Sequence, residues 1–309
     1  MRRMTGVAIA LAVAAGANLS PASAQQAQRS FPSPEAAMTA LVDAIARNDN
    51  AATEAIVGPD FADLLEAQGS EANAADRQRF LASAKEALSF RPMGDGRVTV
   101  EIGLAAWPLP APLVQEAGGW RFDGEEGVEA VKDRVVGRNE LNAIEVLRAY
   151  VDAQRTYATV DHDGDKVLEY AQRLGSTPGK QDGLYYQVGA GDAPSPFGPF
   201  LASAGVNPEQ RDSASPYFGY LFRVMTRQGP NVPGGEYDYV INGNMIAGFA
   251  LVAWPEAYGN SGIMTFAVSH QGELFQKDLG PDTEAIVGVI ERYDPDASWT
   301  LVPDDEGTQ

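Results

Sequence analysis

The chain contains no cysteine and only two histidines, His162 and His270. Without cysteine it can form no disulfide, no thiolate nucleophile, no Cys-ligated zinc or iron–sulfur site and no lipid anchor through a thiol. Two histidines that lie far apart in sequence leave little material for histidine-based catalysis or metal binding. The stability of the folded chain therefore has to come from packing.

Basic residues and long apolar runs are scarce as well. The chain has 23 Lys and Arg against 42 Asp and Glu, which gives a formal net charge of −19. Such an acidic surface disfavours nucleic acid and anionic lipid, so we expect no nucleic-acid partner. The apolar run Val7–Ala17 has 11 residues, whereas a bilayer span needs about 20. No later stretch approaches that length, so we expect no membrane span.

The first 24 residues have the features of a secretory signal peptide. Arg2 and Arg3 form a short basic segment, the apolar run Val7–Ala17 follows, and Ala22–Ala24 is a small-residue cleavage site. Cleavage between Ala24 and Gln25 would make Gln25 the first residue of the mature chain. The sequence therefore predicts a periplasmic or secreted protein.

The mature chain is long enough for two domains of about 100–200 residues. We expect a disordered leader at 25–30 and a first domain at 31–123, in which four helices precede antiparallel strands. Ser33-Pro34-Glu35 carries the signals of a helix start, and Ala117-Gly118-Gly119 joins two short strands. Helices followed by antiparallel strands predict an α+β fold.

The second half of the sequence begins with the longest helical periodicity in the chain. After a charged helical connector at 124–137, apolar residues recur at helical spacing from Asn139 to about Val160. A meander of strands and a helix near 282–292 follow, so we expect a second α+β domain at 138–300 and a disordered tail at 301–309. A further short helix is expected from Lys166 to Leu174.

Several long sequence blocks resemble those of one exported bacterial family. The blocks are RNELNAIEVLRAYVDAQRTYA, STPGKQDGLYY, GYLFRVMTRQG, PGGEYDYV and GFALVAWPEAYGNSGIMTFAVSHQGELFQKDLGP. In this order they resemble the family known as domain of unknown function 2950, across nearly the whole mature chain. The resemblance implies a location in the cell envelope and a two-part α+β chain, and it supplies no activity. At Tyr186 the family pattern leads us to expect Trp.

Two looser likenesses concern the fold alone. The first domain, with helices followed by a Trp-bearing hairpin, is similar to cystatin-like domains and to those related to nuclear transport factor 2. The second, with its long helix and antiparallel meander, looks like the globular head of type IV pilin-like proteins. Fold-level likeness of this kind implies no function.

An acidic loop supplies the first candidate site. Asp161, Asp163 and Asp165 alternate along the loop, and Glu169 follows. Alternating carboxylates place several hard oxygen atoms around one point, as calcium requires. The spacing departs from an EF-hand, because Lys166 stands where that motif has Gly. The alternative is that Asp163 or Asp165 caps a helix starting at Lys166 and that no metal binds.

A loop rich in Gly, Pro and Ser at 176–216 supplies the second candidate site. Eight aromatic residues lie between Tyr185, inside this loop, and Phe222, just after it. Aromatic rings on such a loop can stack against a sugar or a peptide. The candidate binding residues are Tyr185, Tyr186, Phe197, Phe200 and Tyr217. The alternative is that these rings belong to the core and pin the loop down.

These features favour a non-enzymatic binding or scaffolding protein that uses the loop 176–216. Its expected partner is an envelope component, whether protein, peptide or glycan. A hydrolase acting on envelope polymers through carboxylates near Asp182 and Asp278 is the alternative. A module organised by calcium through the acidic loop is the third hypothesis. The sequence assigns no catalytic residue.

Overall fold

The structure is a computed structural model that describes residues 28–66, 70–189, 193–203 and 216–303 of the 309-residue chain. The predicted signal peptide at 1–24 lies outside the described residues. The chain divides into two compact units, with the division between Val128 and Glu129. Among the described residues, no helix is both long enough and apolar enough to cross a membrane.

The first unit begins with helices whose starts are set by side-chain caps. The hydroxyl of Ser33 accepts the N–H of Ala36, and the carboxylate of Asp49 accepts the N–H of Ala52. The helices are α1 (Pro34–Ala46), α2 (Asn50–Val57), α3 (Pro59–Glu66) and α4 (Ser70–Glu86).

An antiparallel sheet completes the first unit. Its strands are β1 (Leu88–Gly94), β2 (Arg97–Ile102), β3 (Trp107–Pro108), β4 (Leu113–Glu116) and β5 (Gly119–Phe122). The order is β1-β2-β4-β5, and β3 pairs with β2. Alternate residues of β2, namely Val98, Val100 and Ile102, are buried, so one face of this strand meets the core.

The described part of the predicted disordered leader, residues 28–30, is fixed in place. The side-chain amide of Gln28 donates hydrogen bonds to the carbonyls of Ile56 (2.9 Å) and Phe122 (2.8 Å). The N–H of Arg29 donates to the carbonyl of Ala55 at 2.8 Å. These residues are ordered because they satisfy carbonyl groups of α2 and β5, which local composition does not reveal.

The predicted connector at 124–137 and the periodic helix that follows form one helix, α5 (Gly124–Tyr157). Gly137 lies in its interior, where glycine costs about 1 kcal/mol relative to alanine without ending a helix. Residues 124–137 are therefore helical, as predicted, and the division between the two units falls among them.

The second unit contains a five-stranded antiparallel sheet and two short strand pairs. The further helices are α6 (Gly198–Ser203) and α7 (Thr283–Val289). The strands are β6 (Tyr220–Met225), β7 (Arg227–Gln228), β8 (Tyr237–Asp238), β9 (Val240–Ile241), β10 (Asn244–Met245), β11 (Ala250–Pro255), β12 (Met264–Ser269), β13 (Leu274–Asp278) and β14 (Thr300–Leu301). The main sheet has the order β14-β13-β12-β11-β6, and the pairs are β9 with β10 and β7 with β8.

A buried polar contact attaches α5 to this sheet. The Tyr150 hydroxyl, fully buried, donates to the carbonyl of Ala250 in β11 at 3.2 Å and accepts a hydrogen bond from Gln154. The Tyr150 ring also meets Phe249 edge to face, with 5.5 Å between centroids. The long helix thus packs on the antiparallel meander through both apolar and polar contacts.

The α+β class predicted from the sequence is confirmed. The cystatin-like, transport-factor-like and pilin-head-like topologies stay predictions. Within the predicted tail at 301–309, Leu301 pairs with Phe275, and the N–H of Val302 donates to the carbonyl of Leu274 at 2.8 Å. Residues 304–309 lie outside the described part of the chain.

Candidate functional site

The acidic loop is held by hydrogen bonds from its own backbone to its own carboxylates. Asp161 accepts the N–H groups of Gly164 (2.7 Å) and Lys166 (2.9 Å). Asp163 accepts the N–H of Asp165 at 3.1 Å, and Asp165 accepts that of Val167 at 2.7 Å. The hydrogen bonds from the Gly164 and Lys166 N–H groups lower the pKa of Asp161, because they stabilise the charged form.

The helix predicted from Lys166 to Leu174 does not form, so these aspartates are not helix caps. Lys166 has φ +71°, which a right-handed helix cannot accommodate. Farther along, Ala171 is bound by the buried side chain of Gln154: its N–H donates to Oε1 (2.8 Å) and its carbonyl accepts from Nε2 (2.7 Å). A side chain from α5 therefore takes the backbone groups that a helix would have paired.

Three of the four predicted metal ligands come together. Asp161, Asp163 and Asp165 each offer a carboxylate oxygen, and these oxygens lie within 4.8 Å of one another. Glu169 is outside this group, and its Oε2 accepts the N–H of Met245 at 3.1 Å. Burial raises the pKa of Glu169, and the charges of Asp163, Asp165 and Asp161 raise it further. Negative charge is thus concentrated on this side of the unit.

The ring of His162 lies between two tyrosines. It stacks on Tyr157 with 3.8 Å between centroids and a 14° interplanar angle, and it meets Tyr186 edge to face at 6.2 Å. Its Nε2 lies 3.1 Å from the carbonyl of Tyr157, which fixes the ring orientation. The acidic loop, which contains His162, and the segment carrying Tyr186 are therefore neighbours, although the sequence presents them as two sites.

The hydroxyl of Tyr157 marks the point where the two predicted sites converge. It donates to the carbonyl of Gln181 at 2.8 Å. Burial raises the pKa of Tyr157, and the charges of Glu169, Asp182 and Asp163 raise it further. Carboxylates from the acidic loop, from the segment after it and from the loop 176–216 thus act on one phenol.

The segment before Tyr186 is closed into a small ring of backbone contacts. Tyr185 and Gly175 form a parallel bridge, in which the N–H of Ser176 donates to the Tyr185 carbonyl at 2.8 Å. Within it, Asp182 accepts the N–H (2.7 Å) and the hydroxyl (2.8 Å) of Thr177. Burial alone would raise the pKa of Asp182, but the Thr177 hydrogen bonds and the Arg173 charge lower it overall.

Most of the predicted binding aromatics lie in the core of the second unit or pack against it. Phe197 is 6% exposed and belongs to the core. Tyr185, Phe200 and Tyr217 are partly buried and pack against the same core. Tyr186 is half-buried and rests on His162, which makes it the predicted ring best placed to meet a partner. Residues 190–192 and 204–215 of the loop lie outside the described residues.

The two carboxylates of the hydrolase hypothesis have separate partners. Asp278 accepts the hydroxyl of Tyr258 at 3.0 Å and the N–H of Gly280 at 2.8 Å. Asp182 is held by Thr177, as described above. In the described part of the chain no contact joins Asp182 to Asp278. A lowered pKa also keeps Asp182 ionised at neutral pH, whereas a general acid needs a raised one.

The sequence did not predict a cleft that the second unit contains. It has a volume of about 300 Å³, and its floor includes Met225, Val252 and Ala267 from three adjacent strands. Tyr293 and Trp299 form part of its wall. Alternation in β6, β11 and β12 predicts that these residues share a sheet face, but no local pattern shows that the chain after α7 leaves space above them.

The comparison with protein families agrees with the sequence resemblance. The family profile described as protein of unknown function (DUF2950) matches residues 28–302. The match covers both compact units, so the chain belongs to this family. No curated protein and no solved structure shows a significant match to the chain.

Proposed function

We propose that this chain is an exported, non-catalytic protein of the cell envelope that binds a cationic partner on its second unit. The binding surface is formed by Asp163, Asp165, Glu169, Asp182 and Tyr186, and we call it the acidic–aromatic surface. Export is supported by the basic segment, the apolar run and the cleavage site of residues 1–24.

The observation that carries this proposal is the convergence at Tyr157. The Tyr157 hydroxyl bonds to the Gln181 carbonyl and its ring stacks on His162, and the carboxylates of Asp163, Glu169 and Asp182, from three successive segments, raise the pKa of this phenol. Repulsion among carboxylates is a cost that a bound cation relieves, since an opposite charge within about 4–6 Å favours the ionised form. The charge pattern therefore favours a partner that brings positive charge.

The aromatic component narrows the class of cation. Tyr186 presents a half-buried ring beside His162 of the acidic loop, and a ring face attracts ammonium and guanidinium groups by about 0.5–2 kcal/mol. Carboxylates form charge-assisted hydrogen bonds with the same groups. A Lys- or Arg-rich segment of another envelope protein satisfies both kinds of contact.

A peptide-binding experiment tests this proposal. The chain starting at Gln25 should bind a Lys/Arg-rich peptide and ignore a Glu/Asp-rich peptide of equal length, as measured by fluorescence anisotropy. Tyr186→Ala and Asp163→Asn should each weaken binding about tenfold, which corresponds to about 1.4 kcal/mol. Tyr186 is the sharper choice than Tyr185, because Tyr185 packs on the core and its loss would disturb the fold.

A matched control is available at Tyr258. This tyrosine also contacts a carboxylate, that of Asp278, but belongs to a different part of the second unit. Tyr258→Ala should leave peptide binding unchanged. Equal losses in Tyr186→Ala and Tyr258→Ala would mean that binding does not depend on the position of the ring, and would contradict a defined surface.

Calcium is the second candidate ligand, and the observation that favours it is the three-carboxylate group. Oxygens of Asp161, Asp163 and Asp165 within 4.8 Å of one another offer the hard ligands that calcium binds. A ligand present at about 100 times its Kd stabilises a protein by about 2.7 kcal/mol. Millimolar calcium should then raise Tm relative to EDTA, and Asp163→Asn should remove the shift while the exposed Asp152→Asn keeps it.

The hydrolase hypothesis is separated from binding by product formation. A binding protein releases no soluble fragment when incubated with peptidoglycan or envelope polysaccharide. Fragment release that disappears in both Asp182→Asn and Asp278→Asn would establish hydrolysis and replace the present proposal.

A further inference from the structure

A turn in the first unit exposes an unbroken run of apolar side chains. Residues Leu104–Pro108 connect β2 to β3 and include β3, and all five are exposed and apolar. Leu104 is 84% exposed and Trp107 is 49% exposed. We call Leu104–Pro108 the apolar turn. Runs of this kind are unusual on a surface that meets only water.

Leu88 extends this apolar area across the sheet. It lies opposite Ile102 in the register of β1 and β2, and Ile102 lies opposite Trp107 in the register of β2 and β3. Residues directly opposite in a sheet point to the same face. Leu88, which is 38% exposed, and Trp107 therefore lie on either side of the buried Ile102, on the face of β2 that meets the core, and each keeps part of its side chain exposed.

Hydrogen bonds at both ends of the turn and one inside it hold its backbone in place. The N–H of Gly103 donates to the carbonyl of Ala87 at 2.9 Å, and that of Ala106 donates to the carbonyl of Gly103 at 3.0 Å. Pro108 has no N–H, and Leu109 donates to a carbonyl of β2 at 2.8 Å. The turn therefore presents its apolar side chains from a backbone that is fixed at both ends.

The chain segment that contains the turn is uncharged, which favours an uncharged partner. No charged residue occurs from Gly103 to Gln115. Glu101, the acid that precedes the turn in β2, is paired with Arg91 at 2.7 Å. The chain as a whole carries a formal charge of −19, which repels an anionic surface.

The neighbouring edge strand argues against pairing with a second copy of the chain. Strand β1 lies at the edge of the sheet and carries Arg91 and Pro92. Its register is also irregular between Pro92 and Gly94. Charge, proline and bulges are the features by which proteins protect an edge from strand addition.

We propose that the apolar turn inserts into the headgroup region of a membrane whose lipids carry no net charge. Leu104 supplies an apolar anchor, and Trp107 is the residue type that favours the membrane–water interface. The contact is peripheral, because the turn is too short to reach beyond the interface. This site lies in the first unit and is independent of the acidic–aromatic surface.

Vesicle flotation tests the proposal. The chain starting at Gln25 is used, so that the apolar run of residues 7–17 contributes no lipid binding. It should float with phosphatidylcholine vesicles, and flotation should decrease when about a third of the lipid is phosphatidylglycerol. The double variant Leu104→Ser with Trp107→Ser should lose at least tenfold in partitioning. Val289→Ser, at a residue that is 79% exposed in the second unit, should behave as the parent.

A second measurement uses fluorescence. Vesicles should shift the emission of the parent chain to shorter wavelength, and Trp107→Phe should abolish the shift while retaining most of the flotation. Leu104→Ser alone serves if the double variant fails a circular-dichroism check of its fold. The proposal is overturned by unchanged flotation of the variants, by binding that requires the anionic lipid, or by a parent dimer that Leu104→Ser dissociates.

Discussion

The acidic loop of the second unit and the apolar turn of the first are both exposed, but different groups accept the hydrogen bonds of their backbone N–H groups. In the loop, side-chain carboxylates accept the N–H groups, as Asp161 does for Gly164 and Lys166. In the turn, a backbone carbonyl does so, as that of Gly103 does for the N–H of Ala106. Carboxylate acceptors place negative charge at the surface. Carbonyl acceptors add no charge, so the side chains of the turn can all be apolar.

This difference decides what each segment offers to a partner. A loop held by its own carboxylates presents negative charge, and its geometry responds to pH, because protonation removes the acceptors. The apolar turn uses a backbone carbonyl as acceptor and has one N–H donor fewer because of Pro108. It therefore presents an apolar surface at any pH. The following predictions break each of these arrangements in turn.

The largest effect should come from cutting the attachment that replaces the predicted helix after the acidic loop. Gln154 is fully buried and bonds both backbone groups of Ala171 and the hydroxyl of Tyr150. Gln154→Leu leaves these groups buried without partners, so the free energy of unfolding should fall by about 2–4 kcal/mol. Urea denaturation followed by circular dichroism measures this change.

The exposed Gln172 provides the control for that measurement. Its side chain donates to the carbonyl of Gly243 at 2.7 Å, but at an exposed position. Gln172→Leu should change the free energy of unfolding by less than about 0.5 kcal/mol. Equal effects of the two substitutions would show that the buried amide of Gln154 has no special role.

An effect of intermediate size on the free energy of unfolding is expected when one glycine at each of the two segments is replaced by alanine. Gly103 in β2–β3 and Gly164 in the acidic loop have φ +74° and +83°, values that cost a residue with a Cβ about 1–2 kcal/mol. A Cβ added at Gly103 lies 3.2 Å from Ser83 Cβ, whereas one added at Gly164 has no described atom within 4 Å. Gly103→Ala should therefore destabilise the chain by about 1 kcal/mol more than Gly164→Ala.

Hydrogen exchange at each turn, together with urea unfolding, measures both changes. Gly137→Ala is the matched control, since that glycine lies inside α5 with open space around an added Cβ among the described atoms. This substitution should stabilise the chain by about 0.5–1 kcal/mol. A larger cost at Gly164 than at Gly103 would contradict the packing difference.

Local signals predicted the parts of the fold that depend on neighbours in sequence. The cap at Ser33 and the turn at Ala117-Gly118-Gly119 lie where their residue types place them, with Gly119 at φ +118°. The helix predicted after Lys166 failed because Gln154, 17 residues away from Ala171, supplies the competing hydrogen bonds. Local helix propensity does not account for a contact between residues that are this far apart in sequence.

The candidate site was predictable in its parts and not in its assembly. Alternating aspartates identified the three-carboxylate group, and aromatic density identified the segment with Tyr186. The sequence could not separate Tyr186 from Phe197, because exposure depends on which side of the loop meets the core. The three-carboxylate group and the segment with Tyr186 come together through the Gly175–Tyr185 bridge and the stacking of His162 on Tyr157, which are tertiary contacts.

The smallest effect is a pH dependence of opposite sign at two carboxylates of the same region. Backbone hydrogen bonds lower the pKa of Asp161 below 3.8, so its contribution is present above that pH and is lost as the pH falls through the folded-state pKa. Burial and neighbouring charges raise the pKa of Glu169 above 4.5. Folding therefore favours protonated Glu169, and stability decreases as the pH rises through its folded-state pKa.

Glu169→Gln tests this sign directly, because the amide keeps an acceptor for Met245 and removes the charge. At pH 7 the variant should be slightly more stable than the parent, by no more than about 0.5 kcal/mol, and at pH 4 the difference should vanish. Differential scanning calorimetry at both pH values measures it, with the exposed Glu256→Gln as control. A gain of equal size at pH 4 would mean that packing, and not repulsion from the aspartates, limits Glu169, and the charge concentration assigned to the acidic–aromatic surface would lose its support.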